Sequence, residues 1–202
     1  MLDKGKEMYY NCVTKKLIGD AMKLLIASDI HGDIESTKIL IDAFEKNECD
    51  KILLLGDILY HGPRNDLPAG YAPKKVIEIL NPYSNKILAV RGNCDAEVDQ
   101  MVLNFPILAD YAFIERDGLR IFATHGHVFN KNACAPLRSG DILLHGHTHV
   151  PVAESFGDGF YYINPGSTSI PKESSPKSYI YYEDRVFHFM TLDGEEYKTY
   201  KI

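Results

Sequence analysis

The chain has 202 residues, of which 45% are hydrophobic and 25% are charged, so one sizeable core can be buried. Its formal net charge of −6 argues against a generic nucleic-acid surface or a surface for anionic membranes. No apolar run approaches the roughly 20 residues of a membrane span. The four cysteines show no CxxC spacing, which favours reduced thiols and a cytoplasmic location.

The first 21 residues differ from those that follow. They are polar and weakly patterned, whereas Met22 is followed at once by the strand-like run KLLIASD. Gly19-Asp20 can also be encoded so that GGAG, a bacterial ribosome-binding sequence, precedes the Met22 codon. We therefore predict that residues 1–21 are a non-native or over-extended N-terminal extension, and that 22–202 form a single domain. A genuine N-terminal strand or helix is the alternative.

The first half of this domain alternates short apolar runs with segments that have helical spacing. In chain order, the pattern predicts a strand, a helix, a strand, a helix and a strand at 23–29, 34–47, 51–57, 73–80 and 86–93. Pro73 stands where a helix accepts proline, in its first turn. Such β-α-β repeats are typical of a parallel sheet.

The second half is rich in strands. It predicts a hairpin over 111–127 that turns at Asp117-Gly118, strands at 141–149 and 160–167, and a hairpin over 178–192 that turns at 183–185. We interpret this half as a meander that follows the β-α-β repeats. The whole pattern predicts an α/β protein of two stacked sheets with helices outside.

Potential metal ligands follow the apolar runs. Residues two apart on an extended segment project to the same side, so we expect Asp29 to pair with His31 and His147 with His149. Each short motif alone is more often a turn or a surface pair, but five of them in order favour a site at the carboxyl ends of strands. The groups are Asp29-Ile30-His31, Gly56-Asp57, Gly92-Asn93-Cys94-Asp95, Thr124-His125-Gly126-His127 and His145-Gly146-His147-Thr148-His149.

The donors are oxygen and imidazole groups, with no thiolate required. This chemistry suits Mn²⁺, Fe or Zn²⁺ better than a structural Zn²⁺ site. There are more donors than one ion needs. Two ions about 3.5–4 Å apart that share one bridging carboxylate would use them, and this arrangement serves in-line phosphoryl transfer.

The ordered motifs D-x-H, G-D, G-N-x-D, an isolated H and G-H-x-H resemble the calcineurin-like metallophosphoesterase superfamily, from residue 22 to about residue 192. Five segments also resemble the YfcE-like phosphodiesterase subgroup of this superfamily in their sequence. These segments are GDILYHGPRN, GYAPKKV, RGNCDAEVDQM, GHTHVPVAE and NPGSTSIPK. The resemblance implies a four-layer α/β/β/α sandwich of two mixed β-sheets flanked by helices. It also implies a metal-dependent phosphodiesterase in which a metal-bridging hydroxide attacks phosphorus.

The resemblance further implies two divalent ions, most commonly Mn²⁺, with Zn²⁺, Fe and Ni²⁺ as alternatives. One ion would take Asp29, His31 and His149, the other would take Asn93, His125 and His147, and Asp57 would bridge them.

Further positions are assigned to substrate. His61 lies four residues after Asp57, where phosphoprotein phosphatases of the superfamily carry a phosphate-binding arginine, and Arg64 is a second phosphate contact. His127 either contacts substrate or orients a ligand. The expected catalytic group comprises Asp57, Asn93, His61 and Asp95, and the expected substrate contacts are His61, Arg64, His127 and Cys94. His145 and His188 are expected to be structural.

Cys94 departs from the superfamily pattern. The third motif usually reads G-N-H-D or G-N-H-E, and its histidine donates the proton to the leaving group, whereas here Asp95 is present but the histidine is replaced. A thiol is a weak donor, so we expect diesters with stable leaving groups to be preferred. A nucleophilic cysteine and a cysteine–metal bond are the open alternatives.

The sequence thus predicts a small phosphodiester as substrate, with no membrane and no generic nucleic acid as partner. Formation of a homo-oligomer is left open. The rival functions are a phosphomonoesterase of the same fold and a non-catalytic protein-binding scaffold. Degraded ligand positions would favour the scaffold, but all seven are intact.

Overall fold

A computed structural model describes residues 22–116, 118–133 and 137–202. The predicted extension, 1–21, lies outside the described residues, and so does Asp117 of the predicted turn. In the described chain, the longest helix has 13 residues, and no helix has the length and apolar character needed to cross a membrane.

The described residues form strands and short helices that can be numbered in chain order. The strands are β1 (Leu24–Ala27), β2 (Lys51–Leu54), β3 (Ile87–Ala89), β4 (Tyr111–Arg116), β5 (Leu119–Thr124), β6 (Ile142–His145), β7 (Pro151–Phe156), β8 (Phe160–Pro165), β9 (Ser178–Glu183), β10 (Val186–Thr191) and β11 (Glu196–Lys201). The α-helices are α1 (Ile34–Lys46), α2 (Pro73–Leu80) and α3 (Glu97–Gln100), and a 3-10 helix covers Asn81–Tyr83.

Both sheets are mixed. The first has the order β11-β10-β9-β1-β2-β3, in which β1, β2 and β3 are parallel and the C-terminal strands add antiparallel. The second has the order β4-β5-β6-β8-β7, in which β5, β6 and β8 are parallel and each edge strand is antiparallel. The predicted α/β class with two sheets is confirmed.

The prediction of a meander in the second half is wrong for the second sheet, although it holds for β9, β10 and β11. Strand β8 lies between β6 and β7, and it runs parallel to β6. The spacing of apolar runs does not reveal whether a connection reverses the chain or crosses over. Strands β7 and β11 were not anticipated, because PVAESF and EYKTYK contain no apolar run.

The main core lies between the two sheets. Ile26 and Leu53 from the first sheet meet Ile121 and Leu144 from the second, and each is at most 2% exposed. Burying these side chains is the principal force that holds the sheets face to face.

Helices α1 and α2 cover the outer face of the first sheet. Leu40 of α1 and Val76 of α2 pack on the β-strand residues Leu25 and Ile52 in a second core. On the outer face of the second sheet, Phe122 packs against residues of the irregular segment after β5, including Phe129. Within the described residues, this fourth layer is therefore a loop and not a helix.

Substituting Leu53 tests the importance of the core between the sheets. Because Leu53 is fully buried, Leu53→Ala should lower the free energy of unfolding by about 2–5 kcal/mol. Leu88 pairs with Leu53 in the sheet but is 41% exposed, so Leu88→Ala should cost about 1 kcal/mol or less. Urea denaturation measures both values, and equal losses would contradict the assignment of the core.

Candidate metal centre

The seven predicted ligands lie together at one edge of the sandwich. They follow the carboxyl ends of β1, β2 and β3 in the first sheet and of β5 and β6 in the second. Because the strands in each of these sets are parallel, their carboxyl ends point to the same edge. Stacking of the two sheets then brings the two sets of side chains into contact.

One group of donors combines Asp29, His31 and His149. The Nε2 atom of His149 lies 3.1 Å from Asp29 Oδ1, and the Nε2 atom of His31 lies 3.7 Å from the same oxygen. The two imidazole nitrogens are 3.5 Å apart. Their ligand atoms are close enough to surround one ion.

A second group surrounds His125. Its Nε2 atom lies 3.0 Å from Asn93 Oδ1, 3.2 Å from His147 Nδ1 and 3.5 Å from Asp57 Oδ2. Asp57 Oδ2 also lies 3.7 Å from His31 Nε2. Asp57 therefore stands between the two groups, where a bridging carboxylate was predicted.

Backbone carbonyls orient three of the imidazole rings. The Nδ1 atoms of His31, His125 and His149 each lie 2.7 Å from a carbonyl oxygen, which belongs to residue 60, 55 and 170, respectively. An Nδ1–H that donates to a carbonyl leaves the Nε2 lone pair free for a cation. All three rings present Nε2 to the cluster.

Five of the predicted ligands have left-handed backbone conformations. The φ angles of Asp29, His31, Asp57, His147 and His149 are 55°, 48°, 55°, 66° and 62°. Asp29 and His31 are close together as expected, whereas His147 contacts His125 and His149 contacts Asp29. Extended geometry does not explain these positions, because the residues have left-handed conformations. Such conformations cost about 1–3 kcal/mol each and cluster at functional sites.

The segment NPGSTSIPK supports the turn at Asp29. The Oγ atoms of Ser167 and Ser169 donate to the Asp29 carbonyl at 2.8 and 2.9 Å. The Asp29 N–H donates to the carbonyl of Gly56 at 3.1 Å. Sequence analysis assigned no role to these serines, because hydrogen bonds to a distant backbone leave no pattern in the chain.

The donor set fits a divalent cation. Asp29 Oδ1 is buried without a hydrogen bond of good geometry, although three imidazole nitrogens lie within 4.0 Å of it. A buried carboxylate oxygen and the lone pairs of imidazole nitrogens repel one another, so a proton or a metal cation is needed between them. Burial disfavours a charged His125, yet its bond to Asp57 and the charge of Asp29 raise its pKa to about 9.

Asp29 also requires a positive charge beside it, whereas His147 stays neutral. Burial acts against ionisation of Asp29, but its bonds to His149 and His31 hold its pKa well below the usual range. Burial and the charge of His125 lower the pKa of His147 to about 4, so its ring is neutral and able to coordinate at neutral pH.

Cys94 lies closer to the cluster than expected. Its N–H donates to Asp57 Oδ1 at 2.7 Å, and its Sγ lies within ligand distance of the donor atoms of His31 and Asp57. Burial and the negative charge of Asp57 raise the pKa of the thiol above its ordinary value. The thiolate is the form that attacks or binds metal, so the raised pKa disfavours both cysteine alternatives, although the position of Sγ permits a contact with metal.

Asp95 lies behind the cluster, where its contacts suit a positioning role, and its expected catalytic role stays a prediction. Its carboxylate is 3% exposed and accepts the backbone N–H groups of Asp57, Ile58 and Gly92 at 2.9, 2.9 and 2.8 Å. Both oxygens are thereby hydrogen-bonded within the protein, and Asp95 does not line the cavity described below. These contacts support the turn that carries Asp57.

A cavity of about 460 Å³ opens beside the cluster. Arg64, the predicted phosphate contact, lies on its wall, and sequence reasoning assigned no role to three other wall residues, Asn65, Thr148 and Lys172. Its lining residues are Asp57, Arg64, Asn65, Asn93, His147, Thr148, His149 and Lys172.

His61 and His127 occupy different positions relative to this cavity. The His61 ring packs between Tyr60 and Tyr71, with centroids 4.7 and 5.3 Å away, and His61 is not among the lining residues. His127 is exposed, and its ring centroid is 5.4 Å from that of His125. Burial and the charge of His125 lower the pKa of His127.

The two histidines expected to be structural lie outside the cavity wall. The His145 ring packs against Tyr162 at 4.7 Å, and its Nδ1 lies 2.9 Å from the carbonyl oxygen of Gly146. His188 lies in β10, with its Nδ1 2.7 Å from a carboxylate oxygen of Glu196.

The fold and these donors define a family that comparison with known proteins identifies directly. Residues 22–184 match the calcineurin-like phosphoesterase superfamily domain, so the chain belongs to that superfamily. It is 47% identical over 174 residues to phosphodiesterase YfcE of Escherichia coli K12, an alignment that covers 86% of this chain and 94% of that protein. The predicted resemblance is confirmed.

Two further comparisons agree. A solved structure of YfcE, described as a phosphoesterase from E. coli, superposes with a TM-score of 0.87 at 46% identity, and the match covers 90% of this chain and 100% of that one. The phosphodiesterase MJ0936 of Methanocaldococcus jannaschii is 28% identical over 153 residues, covering 72% of this chain and 83% of its own. The chain is therefore a homologue of bacterial and archaeal phosphodiesterases.

The role of Asp95 can be separated from that of a proton donor by measuring metal affinity. Asp95→Ala leaves three backbone N–H groups without an acceptor, so the free energy of unfolding should fall by at least about 2 kcal/mol. Displacement of Asp57 should weaken Mn²⁺ binding about 10–100-fold, as loss of a supporting contact does. Titration calorimetry measures the affinity.

The exposed Asp193 provides a matched control, and Asp193→Ala should change neither value. Asp95→Asn keeps one acceptor oxygen and should recover part of both losses. Unchanged Mn²⁺ affinity in folded Asp95→Ala would show that Asp95 does not position Asp57.

Proposed function

We propose that this protein is a metal-dependent phosphodiesterase that hydrolyses a small phosphodiester at a dinuclear site. The observation that supports the proposal most directly is the position of Asp57 Oδ2, 3.7 Å from His31 Nε2 and 3.5 Å from His125 Nε2. One carboxylate oxygen between two separate groups of donors suits two ions that share it. The relationship to phosphodiesterase YfcE supports the type of reaction.

The residues would divide between the two ions according to their distances. Asp29, His31 and His149 would hold one ion, and Asn93, His125 and His147 the other, with Asp57 common to both. Mixed nitrogen and oxygen donors favour Mn²⁺ and also accept Zn²⁺, Fe or Ni²⁺. When bound, two such cations would supply an activated water as nucleophile and would neutralise charge on the phosphoryl oxygens.

The other residues of the site would bind and orient the substrate. Arg64 presents a guanidinium on the cavity wall, and this group suits the oxygens of any phosphate that the substrate carries. His127, exposed beside His125, would contact a substituent of the diester. His61 stays a predicted phosphate contact, and the alternative is that it orders the loop that carries Arg64, where Asn65 Nδ2 donates to the carbonyl of residue 61 at 2.8 Å.

The absence of a good proton donor favours diesters over monoesters. Cys94 occupies the position of the donor, and its raised pKa makes the thiol a weak acid. A leaving group that is stable without a proton is least affected by this loss. We expect small diesters to be hydrolysed faster than monoesters, with the phosphomonoesterase as the alternative. A cytoplasmic location and any homo-oligomer stay predictions.

The function is tested by comparing two chromogenic substrates. Metal-stripped protein should be inactive, and Mn²⁺ should restore hydrolysis of bis-p-nitrophenyl phosphate to a rate above that of p-nitrophenyl phosphate. Asp57→Asn and His147→Ala should each lower kcat/KM at least about 100-fold, because even loss of a supporting contact at a metal site costs about 10–100-fold.

The control for these variants is His188→Ala, since His188 lies on β10 and bonds to Glu196. This variant should keep its activity. If no metal supports turnover of either substrate, the scaffold function replaces the enzyme.

Cys94→Ser tests the cysteine separately. We expect kcat/KM for the diester to change less than about tenfold, which is below the 10²–10⁴-fold effect of losing a general acid. Activity and bound metal are measured on the same sample. An inactive Cys94→Ser protein that retains its metal would mean that the thiol takes part in the reaction.

A further inference from the structure

The cavity beside the metal cluster has a lining with an unusual chemistry. All of its lining residues have polar side chains, and none is aliphatic. Two of them, Arg64 and Lys172, are cations that do not belong to the predicted ligand set. Neither makes an ion pair with any residue in the described ranges, although the chain as a whole carries a net charge of −6.

Lys172 is held beside the cluster by its backbone. Its N–H donates to the carbonyl of His149 at 3.1 Å, so its main chain is tied directly to a predicted ligand. Its own carbonyl accepts the Oγ of Ser175 at 2.6 Å and the N–H of Ser175 at 3.0 Å. The backbone is thus anchored, whereas the ammonium group is left for a partner that comes from outside the chain.

The charges on the wall exceed what the reacting group requires. A phosphodiester carries one negative charge, and the donor cluster with its cations already faces that group. A terminal phosphate carries about 1.5–2 negative charges at pH 7. Two cations therefore balance the charge of a terminal phosphate better than they balance the single charge of a carboxylate. Arg64 and Lys172 are the side chains of this wall that would favour an anionic substituent over a neutral one.

We infer that the substrate is a phosphodiester with a second phosphate on one of its substituents, and that Lys172 and Arg64 bind this second phosphate. The inference rests on the proposed function, because it names the class of substrate for the same site. Lys172, the last residue of the segment NPGSTSIPK, would then be a specificity residue for this substituent.

A matched pair of substrates tests it. Thymidine 5′-(p-nitrophenyl phosphate) is compared with the same compound bearing a 3′-phosphate, using Mn²⁺-loaded protein at a fixed ionic strength. The leaving group is identical, so a lower KM for the 3′-phosphorylated compound reports the second phosphate. We expect KM to fall about tenfold or more, the effect of one charge-assisted hydrogen bond.

Substitution of each cation shows which residue causes the preference for the 3′-phosphorylated substrate. Lys172→Gln and Arg64→Gln should each move the ratio of kcat/KM for the two substrates towards one, and the double variant should abolish the preference. Lys38→Gln is the control, because Lys38 lies on the outer helix α1 and pairs with Glu35. It should leave the ratio as in the parent protein.

A binding measurement separates this inference from the proposed function. Titration calorimetry compares thymidine 3′,5′-bisphosphate with thymidine 5′-phosphate, and the bisphosphate should bind about tenfold more tightly through Lys172. Hydrolysis of both esters with equal KM, together with equal binding, would overturn the inference alone. Preferential binding without any hydrolysis would support the second-phosphate site and overturn the proposed diesterase.

Discussion

The contact of Asp57 with histidines of both sheets is the constraint on which the site depends. Asp57 Oδ2 lies 3.7 Å from His31 Nε2 of its own sheet and 3.5 Å from His125 Nε2 of the opposite sheet. Only face-to-face packing of the sheets makes this contact, and the apolar core between them maintains it. Asp95 fixes the turn from behind through backbone N–H groups, so the carboxylate is oriented before any ion arrives.

This arrangement is costly without a cation. Buried carboxylates and imidazoles gather where solvent is excluded, and several of them have left-handed backbone conformations. The pKa of His125 rises to about 9 because the site, after the cost of burial, still favours a positive charge beside Asp57 and Asp29. A divalent ion would supply the same positive charge, and its binding would therefore stabilise the fold.

The cavity and Cys94 together narrow the chemistry. The cluster follows the general superfamily motifs, whereas the neutral thiol and the two cations of the wall lie in segments that resemble the YfcE-like subgroup. In the proposed function, the thiol would limit which leaving groups can depart, and Arg64 and Lys172 would limit which substituents are bound. Selectivity would then depend on residues around the metal cluster, in the loops that follow β2, β3 and β8.

The sequence by itself determined the two-sheet α/β class, helix α2 and the set of donors, because apolar runs and strand-end motifs are local signals. It misplaced the order of the second sheet, because crossover connections leave no local pattern. It also assigned Asp95 to catalysis. Only the tertiary structure decided that the Asp95 carboxylate accepts backbone N–H groups and that Lys172 lines the cavity. Both facts depend on segments that are distant in the chain and meet only after the sheets pack.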